Sequence, residues 1–226
     1  MSAAPATIAA NEDGAKKRDY WWTVLAIDPL AVPLARSLAR RGRVTPDQVT
    51  MASLVLGLAT GPLYAIGAYW SFVAGAVVYY LSFMLDCVDG KIARLRGISS
   101  ARGQALDAMA DGIRRASAVM GLLWFLLHDG DTSITDLEIA IAFAVLSFYF
   151  MDISGAEKGD SGGGARGKWS AALARRRLLP TPGMPDVSAI VYLVGPITTL
   201  VVPGFAVGLV MVVVAILLTW RRRLRA

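Results

Sequence analysis

The sequence predicts an all-α integral membrane protein: six transmembrane helices preceded by an interfacial amphipathic helix. Three observations carry this. Of 226 residues, 55% are apolar and 18% charged, with a mean hydropathy of +0.52; soluble domains sit near roughly 45–50% and 25%. Six stretches approach the about 20 apolar residues that cross a ~30 Å hydrocarbon core. The basic residues fall into alternate links between those stretches. The composition also excludes a disordered chain, and the one cysteine, Cys87, excludes a disulfide scaffold.

Residues 1–19 are small and polar, with no apolar core ahead of a cleavage-like site, and read as a disordered tail rather than a signal peptide. Residues 20–45 form a juxtamembrane segment. Within it Leu30, Val32, Leu34, Leu38 and Ala39 alternate with Arg36, Arg40 and Arg41. That pattern suits a short helix on the inner leaflet, with Asp28 as N-cap and Pro29 at its first position; a plain basic linker is the alternative.

The expected six-helix domain covers 46–220, with spans near 48–70, 71–92, 105–127, 137–155, 187–202 and 204–220. Tyr69-Trp70-Ser71 joins the first two and suits an interfacial belt. Val202-Pro203-Gly204 breaks the last two apart. A Gly/Arg-rich loop, 155–184, separates spans 4 and 5; its Gly162-Gly163-Gly164 run is flexible, and Lys168 to Arg177 is either a surface helix or a solvated basic stretch. A basic tail, 221–226, ends the chain. With both termini cytoplasmic, 21 of the 23 Lys and Arg lie in inside segments or at their edges. The long outside link carries Asp129, Asp131, Asp136 and Glu138 instead. The basic excess is thus an address for the inner face of the cell membrane, and no nucleic-acid partner is expected.

Four aspartates stand where apolar helices should exclude them, and such residues mark function. Asp86, Asp89, Gly90 and Ala93 recur at i, i+3, i+4 and i+7; Gly103, Asp107, Ala110 and Asp111 recur at i, i+4, i+7 and i+8. Each set forms one helical stripe of carboxylates and small residues. Four carboxylates together repel unless cations join them. All-oxygen ligands suit Mg²⁺, Mn²⁺ or Ca²⁺, and four suit a two-metal arrangement for phosphoryl-type displacement. Asp86 lies about 22 Å along span 2 from its outer end, so the acids sit in the cytosolic third.

The run Asp86-x2-Asp89-Gly90-x2-Ala93-Arg94-x8-Gly103-x3-Asp107-x3-Asp111 resembles the signature of the CDP-alcohol phosphotransferases at every fixed position. Thr45-Pro46-Asp47-Gln48-Val49-Thr50 is similar to the family's short nucleotide-contacting segment. The resemblance implies a metal-dependent membrane transferase of phospholipid biosynthesis, with its site on the cytosolic side. It implies that Asp86, Asp89, Asp107 and Asp111 hold two divalent ions, Mg²⁺ or Mn²⁺, and that Asp111 is also the general base on the acceptor hydroxyl. It gives Asp47, Gln48, Val49, Thr50, Gly90, Ala93, Arg94, Ser100 and Gly103 to the cytidylyl donor. The donor is expected to be CDP-diacylglycerol and the acceptor a small polar alcohol, with CMP released. The alternative is a non-lipid CDP- or CMP-activated head group or phosphonate as donor, with a lipid or phosphorylated small molecule as acceptor. An ion-coupled transporter is the remote alternative; it requires acids near the midplane and two related halves.

Arg114 and Arg115 share a face with Asp111 and are expected either to bind an anionic acceptor or to pair with Asp111 or Asp107. Lys91 is read as an anchor for span 2. Gly57-x3-Gly61 permits close helix packing, in a homodimer or within the bundle. Cys87 is read as a packing residue, and His128 is given no role.

Overall fold

The computed structural model describes residues 13–98, 100–155, 173 and 175–225. The expected tail at 1–12 and most of the 155–184 loop lie outside these. The described residues fold as helices: α1 (Asp28–Arg41), α2 (Pro46–Ala65), α3 (Tyr69–Arg96), α4 (Ala101–His128), α5 (Ile134–Gly155), α6 (Met184–Ala189), α7 (Gly195–Ile197) and α8 (Val201–Arg223). Three of them are long and apolar enough to cross a membrane, namely α3, α5 up to Ser154, and α8; Met184–Ile197 is a shorter apolar stretch. α4 misses that standard because Arg102, Asp107, Asp111, Arg114 and Arg115 punctuate it. α2 is interrupted by Ser, Thr, Gly and Pro residues, of which Thr50, Ser53, Gly57, Thr60 and Gly61 are buried in its packing.

Local chemistry sets the boundaries. Thr45 and Gln48 close a reciprocal capping box at the start of α2, at 3.3 and 3.0 Å, with Pro46 at the first position. α3 stops where Gly97 turns left-handed, φ 64°. Ser100 then caps α4, accepting from the Gly103 N–H at 3.0 Å. The break between α3 and α4 is therefore short, and their polar ends stay adjacent.

α2, α3 and α4 form one tightly packed group. Ser53 and Ser82 exchange side-chain-to-carbonyl bonds of 2.9 and 2.7 Å between α2 and α3. A Cβ on Gly57 would lie 2.9 Å from Arg114 Cβ, and one on Gly61 would strike the Ser117 carbonyl of α4. The two glycines thus serve packing inside the chain, one of the two options their spacing left open. On the other side Tyr79, Phe143, Tyr192 and Phe205 join α3, α5, the Ile190–Val194 turn and α8 in the larger apolar core.

Asp28 is not an N-cap. A π-helical turn, Thr23–Ile27, runs directly into α1, so Asp28 lies inside continuous helix and is buried. α1 docks through Ile27, Ala31 and Ala35 onto Val88 and Ile92 of α3, while Leu30 is exposed. Ala31 and Ala35 let the two helix backbones approach, while Ile27 fills the space ahead of them. Residues 13–19, expected as tail, are held in place: the Asp19 N–H donates to Arg177 O (2.9 Å) and the Leu179 N–H to Asp19 O (3.0 Å).

Candidate active site

Three helix ends converge on the aspartates: the start of α2, the end of α3 and the start of α4. α3 is 28 residues long, about 42 Å, so its last turns extend past what an apolar core requires. Those turns carry Asp86, Asp89, Gly90, Ala93 and Arg94. α4 enters with Gly103, Asp107 and Asp111 on the face turned toward them. The predicted stripes do meet: Asp107 and Asp111 lie within electrostatic reach of Asp86, and Asp107 within reach of Asp89 and Arg94.

Each carboxylate has its own environment. Asp89 is buried and accepts a short hydrogen bond from the Thr50 hydroxyl. Asp86 faces Arg114, whose Nη1 is 3.4 Å from Oδ1, an oxygen that is buried without a hydrogen-bond partner among the described residues. Asp111 takes Arg114 Nη2 on Oδ1 and Arg115 Nη1 on Oδ2, the latter at 2.9 Å. Of the two readings of these arginines, the ion pair with Asp111 is present. Arg114 is 1% exposed. Beyond the two carboxylates, Ser53 Oγ lies 3.4 Å from its Nη1, and the guanidinium lies 5.2 Å from the Phe83 ring centre and 6.0 Å from that of Tyr79.

The segment at the start of α2 reaches the site through some residues only. Thr50 touches Asp89. Asp47 Oδ1 lies 3.8 Å from where a Cβ on Gly103 would sit. Gln48, in contrast, spends its amide on the capping box, and Val49 is buried against the apolar cluster beneath α1. Their side chains serve the fold, because the first turn of α2 must both cap itself and pack inward. Ser100 likewise acts as the α4 cap. Gly90 leaves space for Arg94: a Cβ there would lie 3.3 Å from Arg94 Nη1. Arg94 Nε donates to Gly14 O at 2.6 Å.

Lys91 is not a surface anchor. It is 3% exposed and pairs with Asp28 Oδ1 at 2.8 Å. It faces α1, opposite the acidic stripe, where solvent cannot reach it. The sequence reading missed Gly14, Asp28, Lys91 and Arg177 as neighbours of the site. The available signal was an acid and a base placed singly in apolar segments, each of which needs a partner once buried.

The four aspartates supply only oxygen donors, and Asp86 presents a buried oxygen without a hydrogen bond, which suits a hard divalent ion. Among the described residues no three acidic, His or Cys side chains stand close enough to hold one as placed. The Arg114 guanidinium lies between Asp86 and Asp111 and bridges their charges.

A family model described as CDP-alcohol phosphatidyltransferase matches residues 43–221. The phosphatidylinositol phosphate synthase of Mycobacterium tuberculosis is 32% identical over 123 residues, covering 53% of this chain and 55% of that protein. The chain thus spans about half the length of the curated relatives it matches. The crystal structure of the M. tuberculosis phosphatidylinositol phosphate synthase with CDP-DAG bound matches with TM-score 0.65 at 23% identity, over 85% of this chain and 92% of that one. The same protein in complex with manganese and citrate matches with TM-score 0.59 at 24% identity, over 85% and 88%. At these identities the likeness is one of fold.

Proposed function

The chain belongs to the CDP-alcohol phosphatidyltransferase family, and from that premise we propose that it transfers a phosphatidyl group from CDP-diacylglycerol to a small polar alcohol. The observation that carries this is the meeting of the α3 and α4 aspartate stripes beside Arg94, with Thr50 of α2 bonded to Asp89. A pyrophosphate donor requires both features: oxygen ligands for cations, and a guanidinium for phosphate oxygens.

In this reading Asp86, Asp89, Asp107 and Asp111 hold two Mg²⁺ or Mn²⁺ ions. When bound, such ions spread the charge that develops on the pyrophosphate. Arg94 and Gly90 receive the diphosphate, while Asp47 and Thr50 stand over the nucleotide. The acceptor oxygen attacks the phosphatidyl phosphorus, its proton passes to Asp111, and the P–O bond to CMP breaks. Each Asp111 oxygen keeps a second lone pair beside its guanidinium, so a position for that proton remains. Arg114 and Arg115 fix the base and turn positive charge toward an anionic acceptor such as a polyol phosphate.

The wider reading is a six-span protein of the cell membrane with both termini and the site on the cytosolic side. α2, α4 and the Met184–Ile197 stretch supply the spans beyond the three most apolar helices, and α1 lies along the inner leaflet. The alternating placement of Lys and Arg supports that orientation.

The test is CMP release by purified protein given Mg²⁺ and a matrix of cytidylyl donors and acceptor alcohols. CDP-diacylglycerol with a polyol phosphate is expected to give the highest rate, abolished by EDTA and restored by Mg²⁺ or Mn²⁺. No CMP from any pair would refute the transferase reading; CMP from a non-lipid donor alone would move the donor to the alternative class.

A further inference from the structure

Arg94 is expected to meet the donor diphosphate, yet one edge of its guanidinium is already taken. Its Nε donates to the carbonyl of Gly14, 80 positions earlier in the chain, at 2.6 Å. Nη1 and Nη2 are left over Gly90, beside the acidic stripe.

Gly14 is seated for this contact. Its φ is +75°, a conformation that side chains disfavour, and a Cβ there would lie 2.8 Å from Leu95 Cγ and 2.9 Å from Lys91 O. Asp13 Oδ1 accepts the Ala15 N–H at 3.1 Å and fixes the turn that presents the Gly14 carbonyl. The following residues are tied down in turn. Arg177 donates to Lys16 O at 3.0 Å through Nη2 and 3.3 Å through Nε, and pairs with Asp28 at 3.0 Å. Arg177 itself adopts φ +62°, a strained choice for a non-glycine, and its carbonyl receives the Asp19 N–H. Asp28 also holds Lys91, the neighbour of Gly90 in the motif. Residues 13–19 thus form a strap across the end of α3, locked by Arg177.

We propose that this strap is a positioning element for donor binding: the Gly14 carbonyl holds Arg94 by Nε so that its two terminal nitrogens are presented to the diphosphate. The inference rests on the reading of Arg94 as a donor contact. An unrestrained arginine has several soft torsions, and fixing them in advance removes an ordering cost from binding. Asp13, Gly14 and Arg177 therefore act through Arg94 and not on the substrate.

The experiment is CDP binding to the full-length protein in detergent with Mg²⁺, by calorimetry, alongside donor KM and kcat. Asp13→Ala releases the turn without a clash, and Arg177→Ala releases the lock. Each is expected to weaken CDP about tenfold, the scale of one hydrogen bond to a charged group, and to raise donor KM with kcat nearly unchanged. Arg94→Ala should weaken CDP further, and adding Asp13→Ala to it should cost nothing more, since the strap would have nothing left to hold. Wild-type CDP affinity in both strap variants, with Arg94→Ala impaired, overturns the strap and leaves Arg94 as a donor contact. Additive losses in the double variant also overturn it, as general structural damage. Wild-type affinity in Arg94→Ala overturns the donor-contact reading itself.

Discussion

Asp111 carries a guanidinium on each oxygen, Arg114 on one and Arg115 on the other. Its amide variant separates charge from shape. Asp111→Asn keeps the volume and one acceptor oxygen, but it cannot take a proton from an alcohol. Turnover is expected to fall by about 10²–10⁴-fold, the usual contribution of a positioned base, while Mg²⁺-dependent CDP binding persists in part. Paired measurements of CMP release and CDP binding check this; full activity would remove Asp111 as the base. The carboxylates were legible because polar residues in apolar helices stand out at 3.6-residue spacing. The environment of each was not. Nothing in the sequence says that Asp89 would meet Thr50, or that Arg114 would lie between Asp86 and Asp111.

The packing of α2 on α4 depends on glycines that face backbone. A Cβ on Gly121 would overlap the carbonyl carbon and oxygen of Gly61, which cannot swing aside as a side chain can. Gly112, nine residues earlier in the same helix, has nothing within 4 Å of its Cβ position. Gly121→Ala is therefore expected to destabilise by about 1–3 kcal/mol through overpacking. Gly112→Ala is expected to be neutral or stabilising by up to about 1 kcal/mol, from helix propensity alone. Melting of the detergent-solubilised variants by tryptophan fluorescence distinguishes them, and equal melting temperatures would show that the helices separate freely. The sequence displayed Gly57-x3-Gly61 as a close-packing motif but left its partner open, since a small face suits any helix that approaches it. The partners lie in the same chain: Arg114 of α4 and Ser82 of α3 for Gly57, and Ser117 and Gly121 of α4 for Gly61.

Across the whole molecule, one buried ionic group ties three distant segments together. Asp28 of α1 receives Lys91 of α3 at 2.8 Å and Arg177, near the end of the 155–184 loop, at 3.0 Å. Lys91 and Asp28 are both nearly inaccessible, at 3% and 6%. Asp28→Asn leaves the lysine charge buried without its counter-charge, which costs about 3–5 kcal/mol. The expected result is a clear drop in melting temperature. The double change Asp28→Leu with Lys91→Met, which removes both charges, should recover most of that loss. A double variant as unstable as Asp28→Asn would show that the pair stabilises in its own right. α1 shows the same division between pattern and outcome. Its helix was expected from its apolar and basic alternation, but Ile27, Ala31 and Ala35 decide which side docks on α3, and Leu30 stays outside.

The sequence by itself determined what is periodic or contiguous: the helical segments, the alternation of basic residues between links, the two aspartate stripes and the signature that joins them. These are local, because helix geometry converts spacing into a face without reference to the rest of the chain. The tertiary structure alone decided which faces meet and which charges share a partner: Arg114 between two aspartates, Lys91 on Asp28, and Gly14 on Arg94. Such pairs join distant positions, 80 residues apart for Gly14 and Arg94 and 149 for Asp28 and Arg177. They arise from desolvation, since a charge carried into the interior takes the nearest compensating group that packing brings to it.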